Sequence, residues 1–111
     1  MKTNELSRTD LDWAVARAEK QPHRIVSGLV FIPGGDNWNP SSNWEQGGPI
    51  IQREKISVWA RGNEWAAETF IPNHQGDEQE GPTPLIAAMR CYVASKLGDE
   101  VEIPEELLTT C

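Results

Sequence analysis

Cysteine, tyrosine, phenylalanine and positive charge are all scarce in this 111-residue chain, and each scarcity removes a class of protein. Its two cysteines, Cys91 inside an apolar helical pattern and Cys111 at the last position, do not make the disulfide framework of a small secreted domain. A buried small side chain and a terminal thiol are expected instead. Ten basic residues stand against seventeen acidic ones, a net charge of −7, which is unsuited to tracking a nucleic-acid backbone through a broad basic face. Generic DNA or RNA binding is therefore not expected. No run approaches the ~20 apolar residues of a membrane span, and the opening Met-Lys-Thr-Asn-Glu has no apolar leader segment, so a soluble cytoplasmic protein is expected. Also missing are Gly-x-x-x-x-Gly-Lys-Ser/Thr, Gly-x-Gly-x-x-Gly, Cys-x-x-Cys and Gly-x-Ser-x-Gly, which leaves catalysis disfavoured and no cofactor implied.

What is present is one domain, 1–111, with 38% hydrophobic residues and 9 glycines, enough for a modest core. Its charge is uneven: residues 1–55 carry seven basic and seven acidic groups, whereas residues 56–111 carry three and ten. The excess is concentrated in Asp77, Glu78 and Glu80 and in Asp99, Glu100, Glu102, Glu105 and Glu106, which read as a solvated loop and tail.

Thr9-Asp10-Leu11-Asp12 has the form of a capping box, and Leu11, Ala14, Val15 and Ala18 follow at helical spacing, which predicts a first helix over about 10–20. Arg24–Ile32 is β-branched and aromatic and predicts one strand. In the polar stretch after it, Ser41 or Ser42 can cap a short helical turn over 44–46, interrupted by Gly47-Gly48-Pro49 and resuming over 50–53. Residues 55–60 and 64–71 alternate around Arg61-Gly62-Asn63 and predict an antiparallel hairpin. A polar, mobile loop is expected over 72–82. Thr83-Pro84 then opens a second helix whose Leu85, Ile86, Met89, Tyr92, Val93 and Leu97 form an apolar stripe, stopped by Gly98. Val101–Ile103 suggests a short edge strand, followed by an acidic tail, 104–111. The order predicts an α+β domain, a small antiparallel sheet of three to four strands with two main helices packed on one face. A double-stranded RNA-binding domain has the same order, but its last helix needs basic groups that Thr83-Pro84-Leu85-Ile86 does not offer.

Candidate chemistry is thin. His74 with Asp77, Glu78 and Glu80 could be imagined around a metal, yet they read better as a solvated loop, and no metal site is assigned. His23, between two elements, reads as a surface or capping group. Five tryptophans stand out in a chain with one tyrosine and two phenylalanines. Trp59 and Trp65 are expected as a cross-strand pair beside the hairpin turn, and Trp13 as packing of the first helix. Trp38 and Trp44 lie among Asn, Ser, Gln and Gly, a mixture of flat aromatic faces and adaptable hydrogen bonding that suits a base or other planar ligand as well as it suits a satellite core. The proposed ligand-binding set is Trp38 and Trp44 as stacking surfaces, Asn43 and Gln46 as polar readers, Gly47 and Gly48 as backbone donors, and Arg53 and Arg61 as anion partners. A protein-interaction patch is the alternative, since Trp and Arg are also favoured at interfaces. A homo-oligomer that buries these tryptophans between subunits stays open.

Trp38–Ile51, Gly81–Val101 and the Leu11-Asp-Trp-Ala-Val-Ala segment together resemble the NinX family of small bacteriophage and prophage proteins, over nearly the whole chain. The resemblance implies a setting more than a mechanism: the cytoplasm of an infected bacterium, among accessory genes, in a family with no established catalytic activity. A second similarity, Pro40-Ser41 before a short helix and an aromatic strand, is to compact phage proteins that sequester nucleotide signals of bacterial defence systems such as Thoeris, and it carries no residues over. The reading is a non-catalytic phage accessory protein that binds a small nucleotide-like ligand, with a host defence signal as the candidate, or else a host or phage protein.

Overall fold

Helix α3, Pro84–Leu97, is the element against which the rest is assembled. Thr83 Oγ1 accepts from the Ile86 N–H at 3.1 Å, and Pro84 fills the first helical position, where its missing N–H costs nothing. Leu85, Ala87, Ala88, Met89, Cys91, Tyr92, Val93 and Ala94 are all buried, so α3 is apolar nearly all round rather than along one stripe. Its alanines let neighbours approach closely. The computed structural model describes residues 1–69 and 78–108.

One sheet, in the order β3-β4-β5, is antiparallel: β3 is Ile56–Arg61, β4 is Glu64–Thr69 and β5 is Gln79–Gly81. Gly62, at φ +61°, occupies the first central position of the two-residue β3–β4 turn, where a positive φ is required. Ile56, Val58, Trp65 and Ala67 share the face that α3 covers. At Gly81 a Cβ would sit 2.8 Å from the Ala87 N, so β5 docks on α3 by backbone approach. Helix α1, Arg8–Glu19, packs on α3 and buries Leu11, Trp13, Ala14, Val15 and Ala16. Helix α2, Trp44–Glu54, packs on α3 and β3, and a short α4, Glu105–Leu108, closes the described chain. The α+β class holds, with helices joined by two small sheets.

Several expectations are corrected. Residues 24–32 are not one strand but a hairpin, β1 Arg24–Val26 and β2 Leu29–Phe31, forming its own two-stranded sheet. Ser27 and Gly28 both have positive φ (52° and 77°), the backbone of a tight hairpin turn. Helix α2 is continuous: Asn43, not Ser41 or Ser42, caps it by accepting from the Glu45 N–H, and Pro49 sits inside it. Proline there forfeits one bond, to the carbonyl of exposed Glu45, and the helix runs on. The capping box at Thr9–Asp12 does not form, because the helix begins earlier, after Ser7, and Asp12 points elsewhere. Trp59 pairs with Ala66 and Trp65 with Ala60, which puts the two indoles on opposite faces rather than together. Trp59 instead carries the Arg61 guanidinium 5.5 Å from its ring centre.

Within the expected loop 72–82, residues 79–81 are strand β5, and 72–77 lie outside the described residues. Val101–Ile103 forms no strand; Val101 exchanges backbone hydrogen bonds with Met1, and Val101 and Ile103 are buried. The tail is not wholly solvated either, since Leu107 is buried. Cys91 is buried, and Cys111 lies outside the described residues.

Candidate functional site

Residues 37–43 are polar and turn-forming, yet they are held from four directions. The Trp38 N–H donates to the Val30 carbonyl at 2.7 Å, which lays the segment beside β2. Gln46 spends its whole amide on the segment: Oε1 accepts from the Asn39 N–H at 2.7 Å and Nε2 donates to the Asn37 carbonyl at 2.9 Å. Asp12, one turn into α1, accepts the Ser41 N–H at 2.8 Å across 29 positions of sequence. Underneath, Gly47 lets α2 close on Pro40 and Leu85, for a Cβ would lie 2.6 Å from the Pro40 carbonyl oxygen and 2.7 Å from Leu85 Cδ2.

Between this segment, the start of α1 and β2 lies a cavity of about 380 Å³. Arg8, Thr9 and Asp12 form one wall, Leu29 and Val30 the second, and Asn37, Trp38, Asn39, Ser41 and Ser42 the third, with Ile86 at the base of α3. Ser7 makes no side-chain cap on α1, so its first-turn N–H groups are left without that partner. Arg8 is exposed, makes no ion pair among the described residues, and holds φ at +52°, a strained value for a residue with a Cβ. A cation at a helix N-terminus opposes the helix dipole, and both partial charges favour an anion. Asp12 is 6% exposed, and burial pushes its carboxyl up to about 6 despite the bonds from Ser41 that pull it down. Trp38 is 9% exposed, and its buried Nε1 has no hydrogen-bond partner among the described residues. The cavity thus joins an anion-favouring end at Arg8 with the Trp38 indole and the amide and hydroxyl groups beside it.

The family model described as Bacteriophage P22, NinX matches residues 2–96, which include every residue that lines this cavity. The chain belongs to the NinX family. No curated protein matches it. Among the described residues of this NinX chain, no helix is long and apolar enough to cross a membrane, and no group of three or more His, Cys, Asp and Glu side chains could hold a metal ion. His74 and Asp77 lie outside those residues.

The residues singled out in the NinX sequence are not brought to one place. Of the eight, only Trp38 lines the cavity. Trp44 is 55% exposed on the surface of α2, its ring edge 3.8 Å from where a Cβ on Gly48 would be. Asn43 is a helix cap, and Gln46 is consumed in holding 37–39. Gly47 and Gly48 are interior to α2, and the Gly47 N–H already donates to Asn43, so neither is a loop donor. Arg53 is paired to Glu19 at 2.5 Å and to Glu54 at 2.8 Å and also reaches the Tyr92 hydroxyl. Burial would raise the Glu19 carboxyl, but the bonds from Arg53 and Tyr92 win and hold it below its ordinary value. Arg61 sits at the far end of the β3–β4 hairpin, paired to Glu78 and Glu80.

Arg8, Thr9, Asp12, Leu29, Asn37 and Ser41 line the cavity without belonging to any ligand motif in the sequence. One signal was available: a carboxylate at position 12, among apolar residues that helical spacing places in the core, needs a buried partner.

Proposed function

We propose that this NinX-family chain is a non-catalytic phage accessory protein that binds a small, anionic, nucleotide-like ligand in the cleft between α1, β2 and residues 37–42. The observation that carries the reading is the convergence in one cavity of Arg8, which has no ion-pair partner among the described residues, the α1 N-terminus and the Trp38 indole. At about 380 Å³ the cavity is at the small end of the range for ligand sites, roughly 300–1,000 Å³, which favours a mononucleotide-sized molecule. The phosphate would lie at Arg8 and Thr9, with the base toward Trp38 and the Asn37 and Asn39 amides. Asp12, a carboxylate lining the cavity, is engaged by the bonds it accepts from Ser41, which supports a binding role over a hydrolytic one. In a phage protein, sequestering a nucleotide signal of the host is a role such a site would serve.

A thermal-shift screen of cyclic and linear nucleotides tests this, because only a ligand that prefers the folded state raises the melting temperature. A saturable rise with at least one nucleotide, accompanied by quenching of tryptophan fluorescence, is expected. A flat response across the panel would overturn it. The second reading, docking of a host or phage protein, is favoured by one specific feature, the 55% exposure of Trp44. Capture of a protein from infected cells that Trp44→Ala abolishes, without any nucleotide response, would select it.

A further inference from the structure

A second groove, of about 560 Å³, lies between the end of α1 and the chain that follows α3. Trp13, Val101 and Ile103 are each 7% exposed and contribute its apolar floor. Glu100, Glu102 and Glu105 line it and are exposed, and none of the three makes an ion pair among the described residues. The start of the acidic wall, around Glu100, is tied to the N-terminal residues. The Thr3 N–H donates to the Asp99 carbonyl at 2.7 Å, Thr3 Oγ1 to the Gly98 carbonyl at 2.6 Å, and Val101 exchanges backbone bonds with Met1. A cation already occupies one side: the Arg17 guanidinium lies 5.4 Å from the Trp13 ring centre and also lines the groove.

We infer that this groove is a docking surface for an arginine-bearing, partly apolar segment of another protein. Three carboxylates against one guanidinium leave the groove negative, and the tethering of residues 98–101 limits the ordering entropy lost when a partner settles. Arginine fits better than lysine, because its planar group can pair side-on with a carboxylate and still stack on an indole, as Arg17 does. A phosphate-rich partner would be repelled by the same three carboxylates. The groove's acidic wall, which carries Glu100, Glu102 and Glu105, follows the family-matched region 2–96, whereas Trp13 and Arg17 lie within that region. It shares no lining residue with the proposed nucleotide cleft and does not depend on that reading.

The probe is a capped hexapeptide, Ala-Leu-Arg-Val-Arg-Ala, against the same peptide with citrulline at both arginines, which keeps shape and removes charge. Calorimetry and the indole N–H resonance of Trp13 report binding. The expected result is saturable binding that shifts the Trp13 resonance, with the citrulline peptide at least tenfold weaker. The combined variant Glu100→Gln, Glu102→Gln, Glu105→Gln should also bind at least tenfold more weakly while keeping its melting temperature. A control variant, Glu64→Gln, Glu78→Gln, Glu80→Gln, should bind as the wild type does. Equal losses in the two variants would mean bulk charge alone and would overturn the proposal, as would equal binding of the citrulline peptide or an unmoved Trp13 resonance. Concentration-dependent dimerisation that the first variant abolishes would assign the groove to a second copy of this chain instead.

Discussion

Two regions of the molecule use the same ingredients, arginine, carboxylate and aromatic ring, to opposite ends. Where α1, α2 and α3 meet, Arg53 holds Glu19 and Glu54, Tyr92 donates to Glu19, and Lys96 pairs with Glu54 at 3.4 Å. Arg53 and Lys96 also lie 5.8 Å and 6.0 Å from the Tyr92 ring centre. Each charge there has a partner within the chain. Among the described residues, Arg8 at the other end of α1 has no ion-pair partner, the first helical turn has no side-chain cap, and the Trp38 Nε1 is buried without an acceptor. A network that satisfies itself reads as structure, and a set of groups that converge unsatisfied on a cavity reads as a site. Residue type does not separate the two, which is why Arg53 can look like an anion partner in sequence and Arg8 can look like nothing.

The largest effect should come from breaking the closed region. Tyr92 is 2% exposed, and Tyr92→Ala should cost about 3–5 kcal/mol, as truncating a buried aromatic does, with Tyr92→Phe costing about 1. Chemical denaturation measures both; a cost under about 1 kcal/mol for the alanine variant would show that this junction does not hold the helices together.

Two adjacent glycines sharpen the comparison by sign. Gly47→Ala drives a Cβ into the Pro40 carbonyl, displaces the segment that walls the cleft, and should destabilise by about 1–3 kcal/mol. Gly48→Ala meets only Trp44 at 3.8 Å and should stabilise by about 0.5–1 kcal/mol through helix propensity. Thermal melts of the two variants check the pair, and equal shifts would remove Gly47 as the wedge that positions 37–42.

Asp12 gives the cleft a pH signature. Its carboxyl is raised from 3.8 to about 6 in the folded state, chiefly by burial, so the folded state binds the proton more tightly than the unfolded one does. Stability therefore rises as pH falls through about 6 and stops gaining below the unfolded value of 3.8. Between pH 7.5 and 5 the gain should be about 1–1.5 kcal/mol, seen as a melting temperature several degrees higher. Glu19 and Glu54, held below their ordinary values, act in the opposite direction, but only below that window. Asp12→Asn should flatten the profile, and an unchanged profile in that variant would place the titration elsewhere.

Much of the scaffold is legible in the sequence because it rests on local rules. The Thr83-Pro84 cap, the apolar run of α3 and the alternation of 56–61 and 64–69 all appear where periodicity puts them. The missed elements are those in which one residue overrides its neighbours. Ser27-Gly28 folds a continuous apolar run back on itself, and α2 runs through Gly-Gly-Pro because Gly47 is needed for contact rather than for a turn. The cleft was the least legible part. Its geometry depends on Asp12 meeting Ser41 and on a left-handed Arg8, and neither a contact across 29 positions nor a backbone angle is encoded in spacing.

The central claim, that the unsatisfied groups form the ligand site and the satisfied ones do not, comes down to a single titration of tryptophan fluorescence with the best nucleotide from the screen. Arg8→Gly is the decisive variant, because glycine accepts the φ of +52° without strain and should leave stability within about 1 kcal/mol of the wild type while deleting the guanidinium. Affinity in Arg8→Gly should fall by about tenfold, the loss expected of one charge-assisted contact, whereas Arg61→Ala, far from the cleft, should bind as the wild type does. Undiminished binding by Arg8→Gly, or an equal loss in Arg61→Ala, would contradict the account.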